Sequence, residues 1–404
     1  MFTILRQRNF ARLWIGGLIS LMGDRVLMVA LPFFVYQETG STIASAVMVA
    51  AELLPRLMFG SIAGVYVDRW DRKNIMVLTS IAQGVVILPL FLVESGESML
   101  IVYLISFFQT TLAMFFGPAE NALLPLLVKE DELLPANSLN ALNNNLARLI
   151  GPPVAGGILA MWGLPGVVLF DSVTFVVAGL LIFTIRYSET KVEPQVNAPP
   201  IGMTGRSRFW KEWLEGIDIV RRDRVIFVLF LSVILLNFGG IMIDPLSAPY
   251  ILDVVGAGVE IFGWMMTVQA VGGILGGLLA ARINRRVPTS SMYGWSEVIL
   301  GLILVARYNI PDLPILFLTT LLTGFPAALG MAALETLFQQ KVPNSHLGRI
   351  SGALNTTVGL TSLFGVLGIS GMLGEWLGIV PVLNVAAGIT FVTGWIILIF
   401  LPRK

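Results

Sequence analysis

A chain of 404 residues that is 56% hydrophobic and 13% charged, with a mean hydropathy of +0.83, has too little polar surface to clothe a soluble globule of this length. The 26 Lys and Arg nearly cancel the 25 Asp and Glu, so the net charge of +1 marks no nucleic-acid partner. The absence of cysteine excludes disulfides, thiol catalysis and thiolate metal sites.

Twelve apolar stretches follow one another at 12–36, 43–66, 75–93, 99–125, 136–161, 165–186, 225–251, 261–281, 289–306, 313–338, 349–373 and 379–401. Each approaches the roughly 20 residues that a helix needs to cross a bilayer. All are predicted to be helices, because lipid offers the backbone polar groups no other partner. The predicted fold class is therefore an all-α membrane protein of twelve transmembrane helices, with an amino-terminal six-helix bundle over 1–186, a cytoplasmic linker over 187–224 and a carboxyl-terminal six-helix bundle over 225–404. The linker opens with Pro194, Pro199 and Pro200 and continues as the amphipathic stretch Phe209 to Ile217, read as an interfacial helix that either tethers the halves or carries a regulatory or partner-binding role.

With both termini and the charged turns on one side, 22 of the 26 Lys and Arg fall there, and only Arg307 lies in the opposite loops. That bias makes the side cytoplasmic by the positive-inside rule, so the expected location is the cytoplasmic (inner) membrane. The amino terminus lacks the short apolar run and small-residue site of a cleaved signal peptide, and the first span is expected to remain in the membrane.

Ionisable residues at membrane depth are costly and are candidates for function by default. Seven acids (Asp24, Glu52, Glu120, Asp171, Asp244, Glu297, Glu335) face three bases (Arg25, Arg56, Arg148) within the spans. Asp24, near the middle of the first span, is the first choice for a proton or substrate site, the alternative being a permanent pair with Arg148 or with a backbone group. Arg25 points about 100° away from it and is not expected to be its partner. Glu52 and Arg56 stand four apart on one helix face, and their pair either neutralises itself or opens to free Glu52 as a second proton carrier. Glu297 and Asp244 are weaker candidates, while Asp171, Glu120 and Glu335 lie nearer predicted helix ends and suit interhelical contacts or gating. The sole histidine, His346, falls in a loop, so carboxylates must carry any proton through the membrane. No Gly-Lys-Ser/Thr loop for ATP phosphates, no metal-ligand spacing, no cofactor motif and no nucleophile motif of an enzyme is found.

The charged turn Gly64-Val65-Tyr66-Val67-Asp68-Arg69-Trp70-Asp71-Arg72-Lys73 returns 213 residues later, degraded, as Gly277 to Arg286, with Ala281 in the place of Asp68. Ala141-Leu142-Asn143 is echoed at Ala353-Leu354-Asn355 at nearly the same offset, 212. The turn resembles the signature of the major facilitator superfamily, joining the second helix to the third and the eighth to the ninth, which implies two pseudo-symmetric six-helix bundles. In that family the residue matching Asp68 latches the cytoplasmic side against the start of the eleventh helix, here near Gly348, Arg349 and Ser351, with Gly64, Arg69, Arg72 and Lys73 completing the gate. Arg148-Leu149-Ile150-Gly151-Pro152-Pro153-Val154-Ala155-Gly156-Gly157 resembles the antiporter motif of the fifth helix, implying a hinge at Gly151, Pro152, Gly156 and Gly157, with Gly272, Gly273, Gly276 and Gly277 on the eighth helix as the matching small face. Gly23-Asp24, Ala30-Leu31-Pro32, Thr39-Gly40-Ser41, Phe116-Gly117-Pro118-Ala119 and Asp171-Ser172-Val173-Thr174-Phe175 resemble the drug-efflux subgroup that includes macrolide and enterobactin exporters.

The function expected from these readings is a secondary active transporter, a proton-coupled exporter working by alternating access on lipophilic, neutral or cationic small molecules. Its expected partners are its cargo, protons and the lipid bilayer, without ATP or a cofactor, and it is expected to act as a monomer. A transporter of lysophospholipid between leaflets and a transport-inactive sensor or scaffold are the alternatives.

Overall fold

The computed structural model describes residues 2–93, 99–187, 213–214, 217–342 and 344–402, with the side chains of 2, 61–65, 68–69 and 344–349 excepted. The proline-rich part of the linker and most of the stretch from Phe209 to Ile217 therefore lie outside the described residues. So do the side chains of Asp68, Arg69, His346 and Arg349, together with Gly64 and Gly348.

No strand occurs among the described residues. The helices are α1 (Arg8–Thr39), α2 (Thr42–Arg69), α3 (Arg72–Val86), α4 (Met99–Leu127), α5 (Leu133–Phe183), α6 (Arg224–Ile243), α7 (Val259–Asn284), α8 (Thr289–Asn309), α9 (Leu313–Lys341), α10 (Asn344–Phe364) and α11 (Ile379–Phe400). Most begin at or a few residues before their predicted starts, where polar residues at the membrane surface extend the apolar core, while α3, α6 and α10 stop seven to nine residues short of their predicted ends. Short 3-10 and π turns prolong α3 over Leu88–Leu92, α6 as far as Val254 and α10 through Gly365–Gly371.

Eleven apolar helical segments long enough to cross a membrane are present among the described residues, and one of them, Glu130–Phe183, is 54 residues long. At the helical rise that is about 80 Å, more than twice a bilayer core. It is broken at Gly163, whose φ of 63° and ψ of −163° only glycine adopts cheaply. Pro165 then starts the second arm, where its missing N–H costs nothing. The break separates the fifth and sixth spans, so the described residues hold twelve membrane-crossing segments. Gly40, in the left-handed conformation at φ 61°, closes α1 by donating its N–H to the Tyr36 carbonyl, and two residues later α2 begins.

The chain divides into two compact units, one of 1–40, 47–196 and 257–267, the other of 41–46, 197–256 and 268–404. In the first unit Phe10, Leu13, Met76, Phe116, Leu123, Leu139 and Ile182 form the apolar core. In the second unit Leu229, Met292, Tyr293, Leu329, Ala333 and Ile397 do so. Lipid tails are as apolar as these side chains, so burial alone does not drive helix association, and close backbone approach has to contribute. In the second unit α8 and α11 achieve it through Gly294, Gly301 and Gly394. A Cβ on Gly301 would stand 2.7 Å from the Phe391 backbone nitrogen.

Gly301→Ala is expected to lower stability by about 1–3 kcal/mol, since the opposing atoms are backbone and cannot rotate away. Gly388→Ala meets nothing within 4 Å and is expected to be neutral or slightly stabilising. Melting of the two purified variants in one detergent compares them.

Candidate transport site in the first unit

Arg25 lies fourteen residues before Thr39, where α1 ends, and Arg56 fourteen after Thr42, where α2 begins. Both are therefore about 21 Å along their helices from the same turn. Arg148 lies fifteen residues before the break of α5 at Gly163. Three bases on three helices thus share one depth, and the charges of Arg148 and Arg56 both reach Arg25. The close approach of α1 to α5 has a local cause, because a Cβ on Gly151 would sit 2.5 Å from Arg25 Cβ. Arg25 Nη1 donates to the Met28 sulfur at 3.6 Å, a weak acceptor.

Asp24 stands midway along α1 and is half-buried. Of the three bases it is Arg25 whose charge reaches it, and no ion pair joins it to Arg148. Beside it, Gly23 leaves the space into which the second arm of α5 fits. Asp171 Oδ1 and Thr174 Oγ1 fill the position that a Cβ on Gly23 would take. Asp171 is 0% exposed, neither of its oxygens has a hydrogen-bond partner, and the Thr174 hydroxyl donates instead to the Asp171 carbonyl at 2.7 Å. The charge of Asp24 reaches Asp171. Asp171, eight residues past the break at Gly163, is thus sealed in an interhelical contact with Gly23 of α1.

The same device recurs elsewhere. Glu120 on α4 brings Oε1 within 2.9 Å of where a Cβ on Gly17 of α1 would lie, and in the second unit Glu297 on α8, 5% exposed, lies against Gly330 of α9. Asp244, in contrast, is exposed in the turn after α6, and its charge reaches Tyr308. Glu335 is exposed on α9. Glu52 is half-buried on α2, one turn before the exposed Arg56, and Arg148 is exposed on α5. Among the described residues no three His, Cys, Asp or Glu side chains are placed to hold a metal ion.

The Gly-Pro segment of α5 packs on the first turns of α7, which belong to the first unit. Pro153 has no N–H, so the Leu149 carbonyl loses its helical donor. Thr267 Oγ1 takes that place at 2.7 Å. Gly156 and Gly263 allow the approach: a Cβ on Gly156 would stand 2.7 Å from Glu260 Cα, and one on Gly263 would strike the Pro152 carbonyl. Gly157 meets nothing within 4 Å. The expected small face of the eighth span is corrected here. Gly272 and Gly276 pack on Leu321, Gly324 and Phe325 of α9, and Gly277 meets nothing within 4 Å. The earlier part of α7 is what meets α5.

Of the charged turn, Arg72 and Lys73 are described, both half-buried, with the Lys73 ammonium 5.2 Å from the centre of the Phe183 ring. Asp71 caps α3, accepting from the Asn74 N–H at 2.6 Å, and the Tyr187 hydroxyl donates to its other oxygen at 2.6 Å. Tyr187 thereby ties the end of the sixth span to the start of the third. An Asp three residues before Asn was a readable cap signal; its partner Tyr187 was not.

Thr267→Val is expected to cost about 0.6–1.7 kcal/mol, the range for a hydrogen bond between membrane helices. Thr267→Ser should retain most of it, and melting of the purified variants distinguishes them. Equal melting of Val and Ser variants would mean that the Leu149 carbonyl has found another donor.

The family described as transmembrane secretion effector matches residues 1–403. Macrolide efflux protein A of Streptococcus pyogenes is 25% identical over 377 residues, which is 92% of this chain and 90% of that protein. Multidrug efflux pump Tap of Mycobacterium bovis (strain BCG / Pasteur 1173P2) is 24% identical, over 87% of this chain and 83% of that protein. In fold, the chain is similar to the crystal structure of a bacterial homologue of the iron transporter ferroportin in an inward-facing state, with a TM-score of 0.74, 16% identity and coverage of 97% of this chain and 98% of that one. With twelve crossing segments among the described residues, a charged turn duplicated in the sequence and a match along almost its whole length, the chain belongs to the transmembrane secretion effector family of the major facilitator superfamily.

Proposed function

We propose that this secondary transporter is a proton-coupled exporter of lipophilic small molecules, seated in the cytoplasmic membrane with both termini inside. The observation that supports the reading is the contact of the buried Asp171 with Gly23, the residue before Asp24 on α1. Two carboxylates so placed can pass one proton between a sealed position and one that is half open. Arg25, adjacent in sequence, supplies a charge that acts on Asp24 and so links its proton to whatever moves the guanidinium. Glu52 is the second proposed carrier, and Glu297 and Asp244 are further candidates in the other unit.

The Gly151, Pro152 and Gly156 segment would serve as the hinge. Its carbonyl at Leu149 is held by a side chain instead of by the helix, and such a bond can be broken and remade without unwinding a turn. Gly157 would leave free space on the same helix. Arg72 and Lys73, with Gly64, Asp68 and Arg69, would close the cytoplasmic gate. The relatives named for macrolide and multidrug efflux support the direction of transport.

The test is dye export from cells expressing the chain, with cationic, neutral and anionic lipophilic dyes. Export should stop when an uncoupler is added, and Asp24→Asn should abolish uphill export at an unchanged membrane level. Export that survives the uncoupler contradicts proton coupling, and unchanged export by Asp24→Asn removes that residue from the mechanism. Failure to export any dye supports the lipid or scaffold reading.

A further inference from the structure

Acids outnumber bases within the spans, but they are not equally available. In the first unit Asp171 is buried against Gly23 and Asp24, Glu52 and Glu120 are half-buried, whereas Arg56 and Arg148 are exposed at the depth of Arg25; the exposed acids, Asp244 and Glu335, belong to the second unit. Among the described residues neither Arg56 nor Arg148 has an ion pair or a hydrogen bond. The hydrogen bond of Arg25 goes to a thioether. Three guanidinium groups thus stand at one depth on α1, α2 and α5, with the first arm of α5 held against the Arg25 stem at Gly151, and no ion pair among the described residues ties Arg56 or Arg148 to a carboxylate.

That arrangement is expensive twice over, in desolvation and in like-charge contact. Guanidinium groups on acyl chains would be costlier still, so Arg56 and Arg148 must open on a hydrated space. Asp24 offsets one of the three charges. Glu52, one turn from Arg56, offsets at most another, and the open face stays positive. A planar fork of donors suits a carboxylate or phosphate better than any neutral group.

We propose that Arg25, Arg56 and Arg148 form an oxyanion-binding site that takes the carboxylate or phosphate of an amphiphilic cargo. The inference rests on the transporter reading above and gives its cargo a charge. Three helices contribute one base each, so the site tightens only when α1, α2 and α5 hold their present register. Gly151 maintains that register by admitting the Arg25 stem.

The experiment is binding to the purified full-length chain in maltoside micelles, read by the fluorescence of its nine tryptophans. Dodecyl phosphate is titrated against dodecyltrimethylammonium, which has the same tail and the opposite charge. Dodecyl phosphate should bind at least about tenfold more tightly, and Arg56→Gln and Arg148→Gln should each weaken it about tenfold while leaving the cationic surfactant unaffected. Arg56→Lys and Arg148→Lys should fall between, because they keep the charge and lose the fork. Unchanged melting and elution show that the variants are folded.

Equal binding of the two surfactants, or indifference to all four substitutions in folded protein, overturns the proposal. Lauroyl lysophosphatidylglycerol binding as tightly as dodecyl phosphate supports the site and names a lipid headgroup as its source, while inorganic phosphate doing so supports it and names a free anion. The two readings fail separately. Dye export without any anion preference defeats this inference alone, and anion binding without export of any dye defeats the export reading alone.

Discussion

The contact of α1 with α5 is the constraint on which the site of the first unit depends. Two glycines make it possible, Gly23 by admitting Asp171 and Thr174, and Gly151 by admitting the stem of Arg25. The two contacts lie on adjacent stretches of α1 and use opposite arms of α5, so the break at Gly163 is part of the same arrangement. Moving α1 by one residue would turn Asp24 away and push Arg25 into the α5 backbone. An acid and a base adjacent in sequence are in this way assigned to different neighbours, and the helix keeps both at mid-depth.

A second constraint is the backbone defect at Pro152 and Pro153. In a soluble helix water would cover the orphaned carbonyls, but at membrane depth a protein group has to. Thr267 covers Leu149, and the glycines around it let the two chains approach closely enough for a side-chain hydroxyl to reach a main-chain oxygen. The Gly-Pro segment and the first turns of α7 are consequently one structural element, although more than a hundred residues separate them. This is also why residues 257–267 group with the first unit.

Much of the fold was legible in the sequence because hydrophobic length and charge placement are one-dimensional signals. The twelve spans, the charged turn and the Gly-Pro motif can each be located from contiguous residues. The depths of Asp24, Arg56 and Arg148 could be read from their distance to the helix ends. What could not be read is which helix faces which. The place of Asp171 near the start of the second arm could be read, but not its contact with Gly23, which lies far away in sequence. The glycines of α7 were matched to α5 by resemblance of composition, whereas those at 272 and 276 meet α9, since a small residue shows that something approaches and not what it is. The count of acids over bases could be read from the sequence, but not which of them are buried, because burial is a property of packing.

The account's central claim is that the mid-depth charges of α1, α2 and α5 face one hydrated space and that Asp171 is sealed behind it. The chain has no cysteine, so single replacements can be labelled in membranes without background. Asp24→Cys, Arg56→Cys and Arg148→Cys should all react with a membrane-impermeant, water-soluble thiol reagent applied to opened vesicles. Asp171→Cys should not react, and neither should Leu180→Cys on the apolar outer face of the second arm. Inert cysteines at 56 and 148, beside a reactive one at 180, would place the arginines against acyl chains and contradict the account.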